Sequence, residues 1–169
     1  MDPVEVVNSL PAERLAADLR ACCAAPAWGA AIVARRPFAD RPAVLAAADA
    51  ASRALTWDDV LAGLAGHPRI GERPAGDSRA AAWSRREQSA AAGSGDDLTR
   101  AELVEVNRAY EERFGHVFLI FASGRSQAEI LAAARERLAH DESTERAVVA
   151  GELRQIAHLR LERVLDALG

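Results

Sequence analysis

The sequence predicts an all-α chain, a single-domain compact bundle of about eight helices. Ala and Leu dominate it, and apolar residues recur at spacings of three and four along nearly every segment, the period of a helix with one buried face. At three points Ser or Thr stands three residues ahead of an acidic residue where such a run begins, the signature of a capping box. The one stretch with strand character is five residues long and has no sheet to join.

In chain order, a first helix is expected from about Pro11 to Ala24, with Pro11 suited to the first turn. A second covers about Trp28 to Arg35 and a third Asp40 to Leu55. Thr56 with Asp59 opens a short fourth ending near Gly66. The prolines and glycines of His67-Pro68-Arg69-Ile70-Gly71-Glu72-Arg73-Pro74-Ala75-Gly76 forbid a continuous helix and predict a structured loop. A helix from Ser78 to about Ala92 follows, stopped by Gly93 and Gly95 in a polar connection that reads as mobile. Thr99 with Glu102 caps the next helix, which ends at Phe114-Gly115. Val117-Phe118-Leu119-Ile120-Phe121 reads as a buried extended segment. Ser126 with Glu129 opens a helix to His140, and Asp141 or Ser143 begins a last one to Leu168. No internal repeat marks the chain, and its 169 residues suit one domain, 1–169.

Composition excludes several classes of function. Half the residues are apolar and 27% are charged, a globular balance. A net charge of -4, from 21 basic and 25 acidic side chains interspersed, offers no field for a phosphate backbone, so nucleic acid is not an expected partner. No apolar run approaches a membrane span, and the first residues lack the basic and apolar regions of a signal peptide. The adjacent Cys22 and Cys23 suit neither a disulfide framework nor a zinc site, and with the four unclustered histidines they predict no metal. A reducing cytoplasm is the expected location.

Three groups of residues are candidates for chemistry. Pro68 disfavours helical geometry at His67 and holds the imidazole on a defined backbone just past a helix end. It is either a proton carrier near neutral pH or an ordinary surface-loop histidine. Ser84, Glu87 and Gln88 project from one helix face at i, i+3 and i+4, beside Arg85 and Arg86. Such a face presents a hydroxyl, a carboxylate and an amide either to a polar ligand or simply to solvent. Arg160 falls on the row Leu153, Ala157, Arg160, Val164, Leu168. A guanidinium there requires a partner, whether a substrate anion, Glu87 or another internal carboxylate, unless it snorkels to water at the stripe's edge. Trp28, Trp57 and Trp83 read as packing anchors.

Taken together, these segments resemble one family over nearly the whole chain. The matching text is Trp28 through Phe38, His67-Pro68-Arg69-Ile70-Gly71-Glu72, Ser84-Arg85-Arg86-Glu87-Gln88, Leu103 through Asn107 with Tyr110, Arg113 through Ile120, Ala122 through Ser126, and Ile156 through Leu161. In that order they are similar to the 2-oxo-4-hydroxy-4-carboxy-5-ureidoimidazoline (OHCU) decarboxylases.

The resemblance implies an all-helical homodimer that needs no cofactor and converts a small ureidoimidazoline to (S)-allantoin, the last step of urate degradation to allantoin. It implies His67 and Glu87 as catalytic residues. The substrate pocket it implies is built from Pro68, Ser84, Arg85, Arg86, Glu87 and Gln88 with Leu119, Ile120, Phe121, Ala122 and Ser123, and Arg160 is a further candidate for the substrate carboxylate. Three positions depart from the family's usual pattern: Ser89-Ala90-Ala91, where Gly is common, Val117 in place of Pro, and His158 in place of Arg. The competing expectations are a helical relative acting on another ureido or hydantoin compound and a non-catalytic interaction module.

Overall fold

The computed structural model describes residues 1–70, 78–93 and 95–169. These residues form ten helices and no strand. In chain order they are α1 (Pro3–Ser9), α2 (Ala12–Arg20), α3 (Pro26–Ala34), α4 (Arg41–Arg53), α5 (Trp57–Leu64), α6 (Arg79–Glu87), α7 (Ser89–Ala92), α8 (Asp97–Phe114), α9 (Gln127–Leu138) and α10 (Glu142–Leu168). The all-α prediction holds. The two helices beyond the predicted eight are α1, which Asp2 caps and Pro3 starts, and α7, split from α6 at Gln88. At that split the Ser89 hydroxyl donates to the Arg86 carbonyl at 2.8 Å, diverting a group that would otherwise continue the ladder.

Local signals explain most boundaries. The Thr56/Asp59 and Ser126/Glu129 capping boxes form as predicted, each with both reciprocal hydrogen bonds. The Thr99/Glu102 box does not. Asp96 caps α8, its Oδ1 accepting from the Thr99 N–H at 2.7 Å, so Thr99 is the residue capped rather than the cap. Glu102 instead pairs with Arg135 of α9 at 2.7 Å. α3 begins two residues before Trp28 because Pro26 fits the first helical position. The Asp141 carboxylate accepts from the Thr144 N–H at 2.7 Å and starts α10. Beyond Ile70 the expected loop, including the Gly71-Glu72 pair, lies outside the described residues, as does residue 94 in the expected connection.

The chain divides into two units, Met1–Gly66 with Leu153–Gly169, and His67–Glu152. The first, the terminal unit, comprises α1 to α5 and the second half of α10. Its interior is apolar: Leu15, Leu19, Trp28, Ile32, Val44, Leu153, Leu161 and Leu165 are all at most 2% exposed. Each such side chain contributes about 1.5–3 kcal/mol by leaving water. Cys22 and Cys23 are buried there, and burial pushes the Cys23 thiol up to about 11, so it serves as a small core residue. A Cβ on Gly63 of α5 would stand 2.8 Å from Leu153 Cδ2, so glycine is what lets that leucine close down.

The second, the central unit, packs α8 along α9 with α7 against α9. Ile70, Leu103, Tyr110, Phe118, Ile120, Ile130, Leu131 and Ala134 share its core. Residues 117–122 are irregular backbone with Phe118, Leu119, Ile120 and Ala122 buried, as the apolar run predicts. Gly115, which ends α8, and Gly124 bracket this segment, both with φ near +78°, a left-handed conformation that glycine adopts without strain. No helix among the described residues is long and apolar enough to cross a membrane.

Candidate active site

The loop that carries His67 is held by α8. Asn107 Nδ2 donates to the Ile70 carbonyl at 2.9 Å in the interior. One turn further along the same face, Glu111 takes Arg69 through both oxygens, at 2.6 and 3.1 Å. The bidentate pair fixes the guanidinium's orientation. With Pro68 restricting the backbone as well, His67 and Pro68 stand half-buried at the wall of a cavity of about 460 Å³. Among the described residues, Arg69, Glu111, Gly115, His116 and Val117 also line it.

The apolar segment starts at that cavity with Val117 and is pinned from behind. His116 Nδ1 lies 3.1 Å from the Val117 carbonyl. Arg137 Nη1 donates to the Leu119 carbonyl at 2.5 Å, and Arg125 Nε to the Phe121 carbonyl at 3.0 Å. Every second carbonyl is thus taken by a protein cation or imidazole, the alternation of an extended chain with one edge turned inward.

Behind Arg137 stands a buried network. Its Nε donates to Glu145 Oε1 at 2.6 Å, while Nη2 stands 2.6 Å from the same oxygen as an ionic contact outside hydrogen-bond geometry. The Tyr110 hydroxyl donates to that oxygen at 2.9 Å, and His140 Nδ1 lies 3.2 Å from Oε2. Burial, and then the Glu145 charge, raise the Tyr110 pKa, so its phenol remains a neutral donor. The Arg137 guanidinium also lies over Phe118, 4.6 Å from the ring centroid.

The Ser84/Glu87 row turns inward. Both side chains are buried, at 4% and 5% exposure, which removes the solvated-face reading for them. Gln88 and Arg85 are half-buried and Arg86 is exposed. The structure therefore brings His67 and Pro68 to one cavity with the head of the apolar segment. Ser84 to Gln88 and Leu119 to Ser123 belong to the same unit without lining that cavity. Arg160 belongs to the terminal unit, where it is 2% exposed and donates to the Ala21 carbonyl at 3.2 Å, so it does not snorkel to water.

Arg69, Asn107 and His116 stand in stretches that carry the resemblance, but neither they nor Glu111, Arg137 and Glu145 are site candidates in the sequence reading. One signal was available. Arg137 continues the apolar row Ile130, Ala134 of α9, the same pattern that marks Arg160. Among the described residues no group of three or more His, Cys, Asp or Glu side chains is placed to hold a metal ion.

A family model described as OHCU decarboxylase matches residues 8–162. The chain is 31% identical over 149 residues to the uric acid degradation bifunctional protein TTL of Arabidopsis thaliana, covering 87% of this chain and 46% of that protein. It spans less than half of that relative's length. It is 34% identical over 133 residues to a 2-oxo-4-hydroxy-4-carboxy-5-ureidoimidazoline decarboxylase of Haloferax volcanii, covering 75% of this chain and 73% of that one. Among solved structures it is similar to an OHCU decarboxylase crystallised in the presence of (S)-allantoin, with a TM-score of 0.74 and 28% identity over 88% of this chain and 97% of the other.

Proposed function

Because the chain belongs to the OHCU decarboxylase family, we propose that it removes CO2 from 2-oxo-4-hydroxy-4-carboxy-5-ureidoimidazoline and releases (S)-allantoin, the last step of urate degradation to allantoin. The observation that carries this reading is the proline-restrained imidazole of His67 at a cavity of about 460 Å³, in one unit with the buried Ser84/Glu87 row. A cavity of that size suits a small heterocycle.

The substrate's reacting carbon bears a carboxylate and a hydroxyl beside an electron-poor ring. When the C–CO2 bond breaks, its electron pair passes into that ring, so the chain's residues need supply only orientation and proton handling. His67 delivers a proton to the resulting carbanion from one face, setting one hand of allantoin, and regains it from water. Positioned acid or base catalysis of this kind contributes a factor of roughly 10²–10⁴. Glu87, Gln88 and Ser84 orient the ureido and ring N–H and C=O groups, with Arg85 and Arg86 beside them in the chain and Pro68 contributing from the cavity wall. Backbone groups of Leu119 to Ser123 hold the opposite edge. The family resemblance extends the reading to a homodimer, and the adjacent Cys22 and Cys23, which suit no disulfide framework, extend it to a reducing cytoplasm.

The test is to generate the substrate in situ from urate and follow its decay by circular dichroism with and without the chain. Faster decay with optically active allantoin is expected, since spontaneous decay gives a racemate. Decay at the spontaneous rate with a racemic product rejects the function in favour of another ureido substrate or a binding role. His67→Ala is expected to lose roughly 10²–10⁴ in rate while keeping its far-ultraviolet spectrum, and unchanged turnover removes His67 from the mechanism. Glu87→Gln is expected to raise KM and lower kcat together, whereas wild-type kinetics would make the carboxylate structural.

A further inference from the structure

Building on that reading, we propose that Arg137 is a positioning residue for the reaction, holding the Leu119–Ser123 wall in register through a grip that Glu145 and Tyr110 set. One guanidinium holds the segment twice, by its backbone through the Leu119 carbonyl and by its side chain through the Phe118 ring. The same guanidinium meets Glu145, which is 1% exposed and also accepts from Tyr110. Arg137 itself is 4% exposed and Tyr110 fully buried.

Stability alone is a poor account of such a cluster. Desolvating both charges offsets most of their attraction, and apolar replacements of similar volume commonly match or exceed a buried pair in stability. What the arrangement supplies is direction: the planar fork fixes the angle between the carboxylate of α10 and the carbonyl of the segment. The residues that follow Leu119 are those assigned to the substrate's edge, so an error in the angle at Leu119 is carried straight to them.

The experiment compares wild type with Arg137→Lys and with the double variant Arg137→Met/Glu145→Met. The double variant removes both charges together and leaves no orphaned ion to unfold the chain. Two readouts are taken, KM and kcat in the circular dichroism assay, and amide hydrogen exchange of residues 118–123. Positioning predicts a folded double variant that melts cooperatively, with exchange at residues 118–123 about tenfold faster and KM about tenfold higher, the size of one lost charge-assisted hydrogen bond. Arg137→Lys keeps the charge without the fork and is expected to share the faster exchange. A double variant with wild-type exchange and wild-type KM overturns the proposal. If wild type shows no turnover, the decarboxylase reading falls and exchange alone decides: unchanged protection at residues 118–123 overturns the grip, and faster exchange upholds it.

Discussion

The two units bury different chemistry. Among the described residues, the buried polar side chains of the central unit are Ser84, Glu87, Asn107, Gln127, Arg137 and Glu145, whereas the terminal unit buries Arg160 in an otherwise apolar interior of Leu, Ile, Val, Ala, Cys and Trp. An apolar core is held by volume and tolerates substitutions that conserve it. A core of partnered polar groups is held by direction, and each partner lost strands another group without water. The unit that carries His67, Glu87 and the apolar segment is the directional one, where side chains and backbone must meet a ligand at fixed angles.

That contrast can be broken by substitution. The largest effect is expected from Glu145→Ala, which strands the Arg137 guanidinium in the interior. A loss of about 3–5 kcal/mol in denaturant unfolding is predicted, and a loss below about 1 kcal/mol would show that the central network is not what holds the unit. Next comes Leu19→Ala in the terminal unit, with a predicted loss of about 2–5 kcal/mol from a cavity and kcat and KM per folded molecule unchanged. A changed KM there would erase the distinction between the two cores.

The smallest effect sharpens the comparison at its surface. The backbone N–H of Thr99 holds the Asp96 carboxyl below the ordinary carboxylate range. A depressed carboxylate contributes fully above its unfolded value of about 4, and that contribution is lost as pH falls through the folded value. The Tm of wild type should therefore fall faster than that of Asp96→Ala on the acid side of about pH 4, converging at low pH. A constant gap between the two curves at every pH would dissociate the cap from the titration.

What was legible in the sequence follows from range. Helix period and capping boxes act within four residues, and the Thr56/Asp59 and Ser126/Glu129 boxes form as read. α1 escaped because seven residues give too few turns to show a period. The α8 start was misplaced because Asp96 and Thr99 both carry capping side chains and only geometry decides between them. Within the candidate site, the inward turn of Ser84 and Glu87 was one of two readings their spacing allowed, and burial selects it. The Tyr110–Glu145 bond spans 35 residues and Asn107–Ile70 spans 37, distances at which no local pattern exists to be read.

Helix α8 carries Asn107, Tyr110 and Glu111 on adjoining positions, so one rigid rod sets both the histidine loop and, through Glu145, the clamp on the apolar segment. A helix turns about 100° per residue. Inserting or deleting a single residue upstream of Asn107 within that rod would swing all three side chains away at once, releasing both walls together. Change in this part of the molecule is therefore confined to substitution, while length variation is left to the connections.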